Sequence, residues 1–109
     1  KPYKGYPAFS APDEFLNAIY DAGFNVLTTA NNHSLDRGKA GLERTIQRID
    51  SLNIPHAGTY VNAETREKLY PLLLKKNGFR IALLNYTYGT NGIPVTPRHS
   101  EPQSDALTN

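Results

Sequence analysis

The sequence predicts an α/β fold: a strand–helix–strand unit followed by a β-hairpin. Three observations carry that expectation. The run FNVLTTA, residues 24–30, is rich in β-branched and large apolar residues and is bounded by Gly23 and Asn31, as a short strand would be. Over residues 39–52 the apolar side chains recur at helical spacing, and NIPHAG then returns to an extended pattern. Further on, Asn77-Gly78 separates two apolar runs, a strong hairpin signal.

The elements follow in order. Pro2 and Pro7 make residues 1–10 an irregular, extended arm, with residues 1–8 outside the core proper. Pro12 suits the first turn of a helix, Ser10 or Ala11 would cap it, and Asp13 and Glu14 favour its positive end. Phe15, Leu16, Ile19 and Tyr20 repeat on that helix, and Gly23 ends it. The next strand, residues 24–30, is nearly continuous in apolar character at Val26 and Leu27, as in a strand covered on both faces.

A polar loop, residues 31–38, leads into the second helix. There Leu42, Ile46, Ile49 and Leu52 share one face, and Glu43, Arg44, Gln47, Arg48 and Asp50 share the other. A right-handed crossover is the default connection for the strand pair it joins. VNAETREKL reads as a short helix, and YPLLLKK and FRIALLNYT as the two hairpin strands. Residues 93–109 are rich in proline and small polar residues and read as a loop or frayed tail. The whole is expected to be one partial domain with its core at about residues 9–92.

Composition excludes several classes. Hydrophobic residues make up 39% of the 109 and charged residues 20%, which is globular rather than disordered material. No apolar run approaches the ~20 residues a membrane span requires. The formal charge of +2 and the scattered basic residues give no nucleic-acid footprint. Cysteine is absent, so disulfides and thiolate metal sites are excluded. Methionine is absent even at position 1, so the chain is expected to be an internal piece of something longer.

The stretch TTANNHSLDRGKAG, residues 28–41, concentrates the chemistry. In open α/β sheets ligands sit beyond the carboxyl ends of strands, and this loop occupies such an end. Asparagine offers a neutral amide oxygen to a hard cation, or an NH₂ group to a phosphate. Histidine offers a nitrogen ligand or a proton near neutral pH, and aspartate an anionic oxygen or a brace for the histidine. The competing reading makes Asn31, Asn32 and Asp36 turn formers and caps, with His33 a hydrogen-bonded loop residue. In NYTYGTNG, residues 85–92, Asn85, Tyr86, Tyr88 and Asn91 could wall a cleft beside Asn32 and His33, or simply end a strand and turn. His56 reads as structural, and Tyr20, Tyr60 and Tyr70 as core or half-buried.

ANNHSLDRG followed by a helix and IPHAG, with NYTYGTNG downstream, resembles the CapA-type family of capsule or poly-gamma-glutamate synthesis proteins. The resemblance covers residues 9–92. It implies a fragment of a calcineurin-like metallophosphoesterase sandwich, in which a Gly-Asn-His motif closes a two-metal site. Carried over, Asn32 would be a metal ligand and His33 would face a phosphate as acid or charge stabiliser. Asn31, which stands where the broader pattern has glycine, Asp36, Tyr86, Tyr88 and Asn91 would bind substrate or support those two residues. The implied cofactors are divalent metal ions of the Mn, Zn or Fe type, two of them in the full-length protein.

The family's upstream Gly-Asp and downstream histidine-bearing segments do not occur in this sequence, and His99 does not match the latter. The fragment alone is therefore expected to be inactive. The implied activity of a full-length protein is metal-dependent phosphoester hydrolysis or transfer. The alternative is a non-catalytic polymer-binding or scaffold component of an envelope synthesis and export assembly. The implied partners are an anionic polymer or phosphoester and other polymer-synthesis proteins, at the cell envelope. Exposed sheet edges also suggest pairing with a second copy.

Overall fold

The computed structural model describes residues 3–94. Residues 1–2 of the arm and 95–109 of the expected tail, His99 among them, lie outside the described residues. Seven elements run in the order α1 (Asp13–Asp21), β1 (Leu27–Thr28), α2 (Gly38–Ser51), β2 (His56–Ala57), α3 (Ala63–Leu69), β3 (Leu72–Lys76) and β4 (Phe79–Leu83). β1 and β2 pair in parallel across α2, with Leu27 opposite His56 and Thr28 opposite Ala57. β3 and β4 form a separate antiparallel pair. The α/β reading, a βαβ unit plus a hairpin, is the architecture found.

α2 forms because its apolar residues return every three or four positions, so one stripe can be buried while the rest is solvated. Leu42, Ile46 and Ile49 are buried on that stripe. Leu42 and Ile46 meet Leu35 from the preceding loop, and Val61 and Ile93 pack against the cluster. Ile54, Ala57 and Tyr60 are also buried, so the core lies against α2 and the segment around β2. Gly38 opens the helix with φ +74°, a left-handed conformation that glycine adopts without a Cβ penalty. α3 is capped by Asn62, whose Oδ1 accepts hydrogen bonds from Thr65 N at 2.7 Å and Thr65 Oγ1 at 2.8 Å.

The hairpin turns on Asn77 and Gly78, with φ of 51° and 81°. Two successive positive φ values define the type I′ turn, whose twist matches that of the flanking strands. The register follows directly, from Lys76 opposite Phe79 to Leu72 opposite Leu83.

Several details differ from the sequence expectation, among them the second hairpin strand, which ends at Leu83 rather than at Thr87. The first strand shrinks from residues 24–30 to two residues because Phe24 and Asn25 are exposed and find no partner strand. It is not covered on both faces: Leu27 is half-buried and Thr28 exposed. Pro12 is the N-cap of α1 rather than a residue of its first turn, and no side chain caps that helix. The expected apolar face of α1 is only half realised, since Leu16 and Ile19 are half-buried while Phe15 and Tyr20 are exposed.

The arm does not run out extended either. Lys4 and Ser10 exchange backbone hydrogen bonds at 2.9 Å each, which folds residues 4–10 back on themselves. The fold-back is anchored from outside, through the polar loop described next.

Candidate functional site: a polar loop held by three segments

The loop between β1 and α2 begins with an Asx turn. Asn31 Oδ1 accepts a hydrogen bond from His33 N at 2.8 Å, and Asn31 O accepts from Ser34 N at 3.1 Å and Ser34 Oγ at 2.9 Å. An asparagine side chain makes this closure readily because its amide oxygen reaches a backbone N–H two residues on. Asn31 therefore shapes the loop. Asn32, one residue later, is exposed, and its side chain makes no hydrogen bond among the described residues. Leu35 is 3% exposed and pins the loop to the core.

His33 and Asp36 form the centre of the site. His33 Nδ1 donates to Asp36 Oδ2 at 2.6 Å, one loop turn apart. The Asp36 side chain is 2% exposed, and that of His33 is 25% exposed. Asp36 is thus sealed while the imidazole keeps a solvent-facing part. Phe9 presents its ring edge-on to the imidazole, with centroids 4.6 Å apart.

Asp36 accepts from three donors. Its Oδ2 also accepts from Phe9 N at 2.8 Å, and its Oδ1 accepts from Asn91 Nδ2 at 3.0 Å. Burial alone would push this carboxyl above its ordinary pKa. The hydrogen bonds from Phe9, Asn91 and His33, with the attraction of the imidazole, outweigh burial and hold it below the ordinary value. An ionised carboxylate only accepts, so the proton in the short contact belongs to Nδ1. The nitrogen left for other work is Nε2.

Three segments remote in sequence therefore converge on one carboxylate: the arm through Phe9, the polar loop through His33, and the loop after β4 through Asn91. Asn91 Nδ2 also donates to Pro7 O at 2.8 Å, so one amide ties the arm and Asp36 together. Asn85 completes the frame. Its Oδ1 accepts from Ala30 N at 2.6 Å and its Nδ2 donates to Ala30 O at 3.2 Å, at the last residue before the loop.

The other residues singled out from sequence have these surroundings. Tyr86 meets Tyr70 edge-on, with ring centroids 6.0 Å apart and the two hydroxyls in contact, and Arg66 lies over the Tyr70 ring at 5.0 Å. Tyr88 is fully exposed. Tyr60 is buried, Tyr70 half-buried and Tyr20 exposed. The His56 Nε2 lies 2.8 Å from Asp50 Oδ1, a pairing of α2 with β2.

An open cleft of about 570 Å³ lies beside the site, with Phe9, His33, Asp36 and Arg37 among its lining residues. Arg44 and Arg48 of α2 also line it. Arg44 Nη1 and Nη2 grip Asp13 Oδ1 and Oδ2 at 2.8 and 2.9 Å, and this carboxylate raises the guanidinium pKa. Arg48 Nε lies 3.4 Å from Asp13 Oδ2, an ion pair without hydrogen-bond geometry.

Two of the anchors were not singled out from sequence. Leu35 carries a signal in hindsight, as the only apolar residue in loop 31–38. The Phe9 backbone N–H carries none, because every non-proline residue has one.

The described residues do not by themselves form a metal centre. Among the described residues no group of three His, Cys, Asp or Glu side chains is placed to hold an ion. Asp36, the carboxylate nearest the motif, has its oxygens committed to Phe9, His33 and Asn91. That leaves the neutral amide of Asn32, which does not hold a divalent ion unaided.

Comparison with known proteins gives this geometry its family. Residues 1–109 match the model of the bacterial capsule synthesis protein PGA_cap. The capsule biosynthesis protein CapA of Bacillus anthracis is 33% identical over 78 residues, which are 72% of this chain and 18% of that protein. The PGA biosynthesis protein CapA of Bacillus subtilis (strain 168) is 32% identical over 75 residues, 68% of this chain and 19% of its own. An uncharacterized protein of Sinorhizobium fredii, y4sH, is 40% identical over 84 residues, 77% of this chain and 17% of its own. No solved structure matches the chain. The chain spans less than a fifth of the length of these relatives. With its α/β fold and polar loop, it belongs to the bacterial capsule synthesis protein family PGA_cap.

Proposed function

We propose that this chain supplies the phosphate-facing part of a phosphoester hydrolase or transferase site in a longer capsule-synthesis protein at the cell envelope. The observation that carries the reading is the His33–Asp36 pair, in which a sealed, ionised carboxylate holds Nδ1 of a partly exposed imidazole at 2.6 Å. Such a pair fixes the orientation and the tautomer of the ring. Nε2 can then stabilise a phosphoryl oxygen or give a proton to a leaving alkoxide, after which the ring remains neutral with its proton on Nδ1.

Asn32, exposed beside it, is the residue of this chain suited to join a divalent-ion site whose other ligands come from outside the chain. In a site of that type the ions would activate water and polarise the phosphoryl group. No step assigned to His33 depends on them.

The test uses the longer protein that contains this chain, with a generic phosphodiester as substrate and Mn²⁺ or Zn²⁺ supplied. Turnover is expected, and His33→Ala is expected to lower kcat by about 10²–10⁴, the usual contribution of a positioned general acid. Equal turnover in the two proteins would remove His33 from the chemistry.

A second reading, a non-catalytic polymer-binding or scaffold role in envelope polymer synthesis, draws on a different observation. Arg37, Arg44 and Arg48 line the cleft together with Asp13, Glu14 and Asp36, and because Asp13 engages Arg44 and Arg48, an acidic polymer would be held there mainly through Arg37. Retention of an acidic polymer by the longer protein, with no metal in elemental analysis and no hydrolysis, would favour that role.

A further inference from the structure

We propose that Asn91 is a positioning residue that acts through Asp36 to hold the His33 imidazole with its proton on Nδ1 and Nε2 facing outward. This rests on the reading of His33 as the phosphate-facing group. It assigns Asn91, a residue 55 positions further along the chain than Asp36, to the orientation of that group rather than to a substrate wall.

The geometry is specific. Asn91 has φ 60° and Gly92 φ 74°, and Ile93 N donates to Thr90 O at 3.0 Å. This is a type I′ turn with asparagine at its first central position, which that backbone tolerates better than most residues do. The turn aims the amide at the arm and the polar loop together. An amide NH₂ carries two hydrogens. One reaches Pro7 O at 2.8 Å and the other Asp36 Oδ1 at 3.0 Å.

Without the second contact, Asp36 Oδ1 would lack its side-chain donor, and only the bonds to Oδ2 from Phe9 N at 2.8 Å and His33 Nδ1 at 2.6 Å would resist rotation of the carboxylate about its Cβ–Cγ bond. Rotation would carry Oδ2 away from His33 Nδ1. A free imidazole carries no comparable bias toward the Nδ1–H form, so the ring would redistribute its proton between the two nitrogens.

The experiment separates the turn from the amide. Asn91→Gly keeps the left-handed backbone and deletes the donor, and Asn91→Asp keeps a left-handed-tolerant residue while replacing the donor with an acceptor. Histidine is ¹⁵N-labelled, His33 is assigned by its loss in His33→Gln, and the two ring nitrogens are read by long-range ¹H–¹⁵N correlation at a pH where the ring is neutral. The parent chain should show well-separated resonances with the proton on Nδ1. Both Asn91 variants should show the two resonances moving toward each other, and Asp36→Asn should do the same.

If His33 keeps the parent pattern in both Asn91 variants while Asp36→Asn changes it, Asn91 does not act on the ring. If all three keep the parent pattern, the relay does not exist. Thermal melts and circular dichroism report whether the variants fold, and either Asn91 variant that folds decides the matter. The readout needs neither metal nor substrate, so it stands apart from any failure of phosphoester turnover in the longer protein.

Discussion

The side-chain amide of Asn85 satisfies both backbone groups of Ala30: Oδ1 accepts from Ala30 N at 2.6 Å, and Nδ2 donates to Ala30 O at 3.2 Å. A single amide thus performs at the end of β1 what a neighbouring strand would do. The parallel ladder runs through Leu27 N to Pro55 O at 3.1 Å and Thr29 N to Ala57 O at 2.9 Å, and Asn85 takes over one residue later. Gly58 makes room for it, since a Cβ there would collide with Asn85 Oδ1 and Ala30 N, and its φ of +129° disfavours any side chain.

Asn85→Ala should therefore destabilise the chain by about 1–3 kcal/mol, the cost of leaving largely buried backbone groups without partners. Gly58→Ala should destabilise it as well, through backbone strain of about 1–3 kcal/mol and displacement of Asn85. Urea denaturation of the two variants and their double mutant checks the coupling. The double mutant should fall well short of the sum, because both lesions remove the same contact.

Asp36 sets an acid limit on stability. Burial raises its pKa, but its hydrogen bonds to Phe9, Asn91 and His33 lower it further, so the folded value lies below the unfolded one. The unfolded chain then binds the proton more readily than the folded chain does. The stabilisation is fully present above the unfolded pKa of about 3.9 and is lost as pH falls through the lower folded value. Urea midpoints measured from neutral pH downward should decline below about pH 4. Asp36→Asn should start lower at neutral pH, by about 1.5–3 kcal/mol for bonds to a charged group, and decline less steeply.

The core and the site share Leu35. It lies in the polar loop yet packs against Leu42 and Ile46 of α2. Leu42→Ala should destabilise the chain by about 2–5 kcal/mol, the usual range for a buried leucine truncation. It should also speed hydrogen exchange at the Phe9 and His33 amides, since the loop loses its apolar anchor. Unchanged exchange at those amides, with the loss of stability intact, would show that the polar contacts alone fix the loop.

Local patterns were legible where local physics decides. The stripe Leu42, Ile46, Ile49 announced α2 because helical periodicity places those residues on one face whatever they pack against. Asn77-Gly78 announced the hairpin because few other residues accept two positive φ values in succession. The motif loop was legible as polar and its asparagines as turn formers, which Asn31 is. The length of β1 and the exposure of Phe15 and Tyr20 were not, because each depends on what covers a residue, and a covering surface is a property of distant chain.

The amino-acid order by itself determined the α/β succession, the buried face of α2, both asparagine-glycine turns and the motif that resembles the capsule-synthesis family. These rest on interactions between residues a few positions apart, or on residue chemistry that holds in any setting. Only the tertiary structure decided that Asn91 reaches Asp36, that Asn85 braces Ala30, that Tyr86 turns to Tyr70, and that the arm folds back over His33. Those contacts bridge 16 to 55 positions for the hydrogen bonds that carry them. Hydrogen bonds are short and directional, so a partner at that separation is chosen by the packing of the whole chain and not by the residues alongside.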